Sequence, residues 1–176
     1  MNLSAAPEHV PDVNELSALR KYLQQFSSYD QDTGFPNCET LLAEINTETT
    51  KASPLPLGAT LIEIRIRGLS RIGEAYSRKA IGSVIRQLAD RLALAPLTKR
   101  TIARIDHKSF GVFLPDVADP VLALQTAKQL VALCSRPVPW GDHMLNIDAI
   151  AGVAMTTPAV QDANTLLHHA GLALRA

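Results

Sequence analysis

Apolar and polar residues change places along this chain with two different periods, and each change of period marks an element. Thr60, Ile62, Ile64 and Ile66 alternate with Leu61, Glu63, Arg65 and Arg67. A period of two predicts a strand with one apolar face on a core, and here the other face turns basic toward its far end. Gly68 breaks the pattern. Leu69, Ile72 and Tyr76 then return at helical spacing, and Ile81, Val84, Ile85, Leu88 and Leu92 do so over a longer stretch closed by Pro96. A short helix followed by a long amphipathic one is expected.

Upstream, Asp12 is placed to cap a helix reaching about Ser28, in which Leu16, Leu19, Leu23 and Phe26 recur after three, four and three residues. That spacing makes a narrow seam of coiled-coil type. It either docks on its own domain or meets a second chain or an upstream module, and about two heptads are too few to decide. Asn37 is set to cap the next helix, with Leu41, Leu42 and Ile45 inward and an end near Glu48. The organisation read from this is a lead-in and helix over 1–29 and a domain over 30–176.

Downstream, strands over 101–105 and 110–114 flank the polar residues Asp106, His107, Lys108 and Ser109, which predict a hairpin turn. Asp119 followed by Pro120 opens a helix carrying Ala123, Ala127, Leu130 and Cys134 at helical spacing. Val138–Trp140 and 143–155 read as a second hairpin around Gly141 and Asp142, and Asp162 caps a last helix with Leu166, Leu167, Ala170 and Leu174. The order strand, helices, two strands, helix, strands, helix fits an α+β domain of ferredoxin-like or palm type, with a central, mainly antiparallel sheet flanked by helices.

Composition narrows the function classes. Hydrophobic residues make up 47% of the 176, enough for a core without staples, and 17 Lys+Arg balance 17 Asp+Glu. No global field draws the chain to nucleic acid or to an anionic membrane, so any basic surface is local. Cys38 and Cys134 stand without metal or redox spacing, and His9, His107, His143, His168 and His169 have no partner at metal-ligand spacing. Neither a metal nor a cofactor is expected. The first residues lack the basic start and apolar run of a secretory leader and no apolar run approaches the roughly 20 residues that cross a bilayer, so a cytoplasmic location is expected.

Two segments carry a family resemblance. Asp30-Gln31-Asp32-Thr33-Gly34-Phe35-Pro36-Asn37 resembles the D-x-L-T-G-L-x-N opening of GGDEF domains, and Arg104-Ile105-Asp106-His107-Lys108-Ser109-Phe110 is similar to that family's R-x-G-G-D-E-F hairpin. The segments Asn146 to Ala154 and Leu166 to Leu174 resemble its later strand and helix. GGDEF domains are bacterial diguanylate cyclases that join two GTP molecules into cyclic di-GMP. The resemblance implies a nucleotide-cyclase fold and a place in cyclic di-GMP signalling, where such domains stand beside EAL phosphodiesterase or sensor domains.

The departures bear on activity. In the family, the turn glycines let backbone approach GTP and the acids after them hold metal. Asp106, His107, Lys108 and Ser109 stand in those places here, and only glycine removes the Cβ from that approach. An ungapped alignment sets Arg65 at the metal-binding Asp, and Gly73 and Gly82 at the residues that recognise guanine. A rival register with a two-residue insertion makes Glu63 the metal residue. Leu97 and Arg100 fall at the R-x-x-D product-inhibition site. The resemblance therefore implies a catalytically inactive, degenerate domain that regulates or contacts a protein partner or a neighbouring domain. In the alternative reading, the strip of Arg65, Arg67, His107 and Lys108 binds phosphate and makes the domain a metal-independent nucleotide sensor. Residual cyclase activity is a third reading, disfavoured by the missing carboxylates.

Overall fold

Strand β1 (Thr60–Arg67) lies at the centre of the molecule with helices on both its faces. The computed structural model describes residues 28–51, 58–160 and 162–175, together with Glu15. The seam of Leu16, Leu19, Leu23 and Phe26 lies outside the described residues. In chain order the elements are α1 (Cys38–Lys51), β1, α2 (Leu69–Ala75), α3 (Arg78–Ala93), β2 (Thr101–Asp106), β3 (Ser109–Leu114), α4 (Pro120–Cys134), β4 (Val138–Trp140), β5 (His143–Leu145), β6 (Asp148–Met155) and α5 (Ala163–Ala173).

Four strands form one antiparallel sheet in the order β2-β3-β1-β6. The pairing runs from Thr60 opposite Leu114 to Arg65 opposite Ser109 on one side of β1, and reaches Arg67 opposite Asp148 on the other. Ile62, Ile64 and Ile66 pack with Val84, Ile85, Leu88 and Leu92 of α3 and with Leu130 and Cys134 of α4. Leu61 packs on the opposite face with Leu41 and Ile45 of α1 and with Leu166 and Ala170 of α5. The expected α+β architecture is therefore present, with one correction to β1. Its second face is not a solvated one, because α1 and α5 cover it; Leu61 and Glu63 are buried along with the isoleucines.

Two approaches depend on glycine. Gly68 turns the chain from β1 into α2 at φ 75°, a left-handed conformation costly for other residues. A Cβ on Gly152 of β6 would lie 2.1 Å from the Ala170 carbonyl oxygen, so α5 seats on β6 only over glycine.

Three further expectations are corrected. The stretch 143–155 is not one strand: β5 pairs with β4 in a separate two-stranded sheet, and the chain joins the main sheet only at β6. Tyr76 does not face the core; it ends α2, is largely exposed and sets its ring 5.4 Å from that of His143. Helix α1 continues past Glu48 to Lys51. The caps expected at Asp119 and Asp162 form, with their carboxylates accepting from the Val121 and Thr165 amides. Both cysteines are free, and burial pushes the Cys134 thiol up to about 12.

Candidate functional site

Where β1 runs out of apolar residues, four pieces of chain leave a cleft of about 1260 Å³ between them. They are the end of β1 with the turn into α2, the β2–β3 turn, the loop over 30–37 with the start of α1, and the first half of α3.

The loop is shaped by its own polar groups. Asp30 accepts from the Thr33 amide at 3.0 Å and the Thr33 hydroxyl at 2.7 Å, and its carbonyl accepts from the Gly34 amide. Asn37 then caps α1, its Oδ1 accepting from the Thr40 amide at 2.9 Å. The loop is fixed to β2 by the Arg104 amide, which donates to the Pro36 carbonyl at 2.8 Å. Cys38, half-buried at the start of α1, has its thiol pushed up by burial, then by the charges of Asp106 and Glu63.

The hairpin turn is tighter than its sequence predicts. Only His107 and Lys108 lie outside the strands; Asp106 ends β2 opposite Ser109, which begins β3 fully buried. Two side chains brace the turn, in which neither His107 nor Lys108 has positive φ. Asp106 Oδ1 accepts from the Lys108 amide at 2.8 Å, and Arg104 Nη2 donates to the His107 carbonyl. The Lys108 carbonyl accepts from the Ile66 amide at 2.7 Å, which ties the turn to β1.

Arg104 is the most buried cation of the wall. Its guanidinium lies 4.5 Å over the Phe110 ring, within cation–π range, and its Nη1 has no hydrogen-bond partner among the described residues. Burial pushes it below the usual guanidinium range, against the pull of Asp30, Asp106 and Asp32. The sequence marked Arg104 and Phe110 only as motif letters; their stacking comes from their opposed positions on β2 and β3.

The strip of Arg65, Arg67, His107 and Lys108 lines the cleft but is not uniform. Arg65 is held: its Nη2 lies 2.8 Å from Glu63 Oε1, and its Nε donates to Ser109 Oγ at 3.4 Å. Glu63 is buried and absent from the cleft wall, so in either alignment register its carboxylate belongs to Arg65. Arg67 meets Asp148 at 3.3 Å with both side chains well exposed. Lys108 has no ion pair among the described residues, and the same holds for Arg78 in the first turn of α3, which sequence reasoning missed. Its signal was a Ser77-Arg78-Lys79 start, a capped helix opening with two cations. Leu97 and Arg100 lie away from this cleft, where Arg100 donates to the Ala93 and Leu97 carbonyls behind α3.

Among the described residues no group of three or more His, Cys, Asp or Glu is placed to hold a metal ion, and no helix is long and apolar enough to cross a membrane. Comparison with curated proteins finds no match. Solved structures do match. The coiled coil and GGDEF domain of DgcB from Caulobacter crescentus, in complex with c-di-GMP, aligns at TM-score 0.77 and 20% identity over 93% of this chain and 88% of that one. A sensory box/GGDEF family protein from the same organism aligns at 0.72 and 22% identity over 84% and 96%. The diguanylate cyclase SiaD from Pseudomonas aeruginosa, in complex with its activator SiaC, aligns at 0.72 and 18% identity over 92% and 62%. These likenesses share the fold. The family model described as diguanylate cyclase, GGDEF domain, matches residues 27–176, and the chain belongs to the GGDEF family of the cyclic di-GMP signalling system.

Proposed function

We propose that this GGDEF domain has given up cyclase chemistry and serves as a cytoplasmic regulatory module that contacts a protein partner or a neighbouring domain. The observation that carries the reading is the charge of the cleft at the end of β1 and at the hairpin turn. A divalent cation asks for several oxygen ligands. The groups presented there are the guanidinium of Arg65, already satisfied by Glu63, the side chains of His107 and Lys108, and a single carboxylate, Asp106, which already accepts from the Lys108 amide. This donor set does not fit such an ion. His107 also places a side chain where the family resemblance has a glycine.

The regulatory half of the proposal rests on the lead-in over 1–29, whose seam of Leu16, Leu19, Leu23 and Phe26 would carry the connection to another module. Two similar structures support it: one of a coiled coil together with a GGDEF domain, the other of a diguanylate cyclase in complex with its activator.

The test incubates the 176-residue chain with GTP and either Mg²⁺ or Mn²⁺ and measures cyclic di-GMP by mass spectrometry. No product above a protein-free control is expected. Product that rises with the concentration of the chain overturns the reading and restores the cyclase.

A further inference from the structure

We infer that the outer face of α4 is a contact between two copies of this chain, related by a twofold axis across the helix. The inference goes beyond the reading above, since it concerns neither the cleft nor the lead-in. The Thr60 hydroxyl donates to the Val117 carbonyl at 2.7 Å, which sets the start of α4 at the end of β1 opposite the cleft.

Helices α3 and α4 pack on the same face of the sheet, and their outer faces differ. α3 presents Arg78, Lys79, Arg86 and Asp90 to solvent, as a surface helix does. In α4, Lys128 is the only charged residue of 15. Its buried stripe is complete with Ala123, Thr126, Ala127, Leu130 and Cys134. Val121, Leu122 and Leu124 lie outside that stripe and are 61%, 47% and 53% exposed. Large apolar side chains gathered in one turn, on a helix with a single charge, mark a surface that gains by being covered.

The charges flanking the patch decide what covers it. Val121, Leu124 and Lys128 follow one another after three and four residues, so they share one side of the helix. Lys128 is exposed, and so is Asp119 at the cap, where one carboxylate oxygen accepts from the Val121 amide at 2.9 Å. Neither has an ion pair among the described residues. They stand about 13.5 Å apart along the axis, with Leu124 between them. A second α4 laid antiparallel across a twofold axis at Leu124 brings Lys128 of each copy to Asp119 of the other. Val121 and Leu124 of both copies are then gathered between two ion pairs. The patch is its own complement, as a twofold contact requires. An anionic membrane finds no such match, because one lysine balanced by one acid offers no net charge. Three side chains fall short of the about 800 Å² that a standard interface buries on each partner, so the contact is weak and reversible.

Sedimentation velocity on the 176-residue chain, from about 5 to 500 μM at low ionic strength, tests this. The weight-average mass is expected to climb with concentration towards twice its starting value. Lys128→Glu sets like charges against each other and is expected to move that climb to concentrations about tenfold higher or more. Adding Asp119→Asn, which keeps a good cap while removing the charge, is expected to recover most of the loss. Leu124→Ser removes apolar area at the axis and is expected to weaken association by about tenfold as well. Both positions are exposed, so unchanged thermal midpoints keep the readout on association rather than folding. A mass that does not vary with concentration overturns the proposal. So does a climb that Lys128→Glu and Leu124→Ser leave unchanged, which would give self-association to another surface, such as the seam of Leu16, Leu19, Leu23 and Phe26. Failure of Asp119→Asn to recover any of the loss overturns the pairing of Lys128 with Asp119, and the twofold arrangement with it. A lowered thermal midpoint in Leu124→Ser at unchanged mass gives the patch to a segment of the same chain and overturns the proposal too.

Discussion

The two halves of β1 differ in what their side chains are for. From Thr60 to Ile64 every residue is buried, with apolar neighbours from α3 and α4 on one face and from α1 and α5 on the other. From Arg65 to Arg67 the same strand, in the same sheet, delivers cations to a cleft. Pairing with β6 continues through both halves, while the ladder to β3 stops at Arg65, where the hairpin turn begins. The fold is thus carried by one half of a strand and the candidate site by the other, and stability and binding should respond to different substitutions only a few residues apart.

The sharpest break of that contrast is Ile64→Ala. Ile64 is completely buried, and removing three carbons from a packed core costs about 2–5 kcal/mol, read as a lowered midpoint in urea. A loss below about 1 kcal/mol would mean that this half is loosely packed.

A smaller effect is expected at the junction of the halves. Arg65→Ala strips the counter-charge from buried Glu63. Breaking a buried pair on one side costs about 3–5 kcal/mol, and because Arg65 is about a quarter exposed, with 27% of its side chain accessible, the expected loss is nearer 1–3 kcal/mol. Adding Glu63→Gln should recover much of it, since the uncompensated charge is then gone. A double variant no more stable than Arg65→Ala would show that packing, not charge, holds the pair in place.

The smallest change, with the opposite sign, is expected at the cleft rim. Arg78→Ala removes a cation from the positive end of α3 and should stabilise the protein by about 0.3–1 kcal/mol, seen as a slightly raised thermal midpoint. A destabilised variant would assign Arg78 a structural role.

Much of this architecture is legible one residue at a time. The alternation from Thr60 to Arg67 sets a strand, and Asn37, Asp119 and Asp162 mark helix starts because short acceptor side chains satisfy the free amides there. The order of these signals, with the motifs at 30–37 and 104–110, was enough to suggest the family. Tertiary structure decided what local signals cannot carry. Whether Glu63 meets water depends on α5, whose Gly171 packs over it from more than a hundred residues away. That burial binds Arg65 to Glu63 and takes it out of the basic strip. Arg104 looks like any strand arginine until β3 sets Phe110 beneath its guanidinium. Arg78 gains its meaning only when the start of α3 is brought against the hairpin turn across one cleft. Periodicity reports which residues share a face, because that is fixed by the backbone repeat; which face is covered, and by which charge, is fixed by contacts between segments distant in the chain.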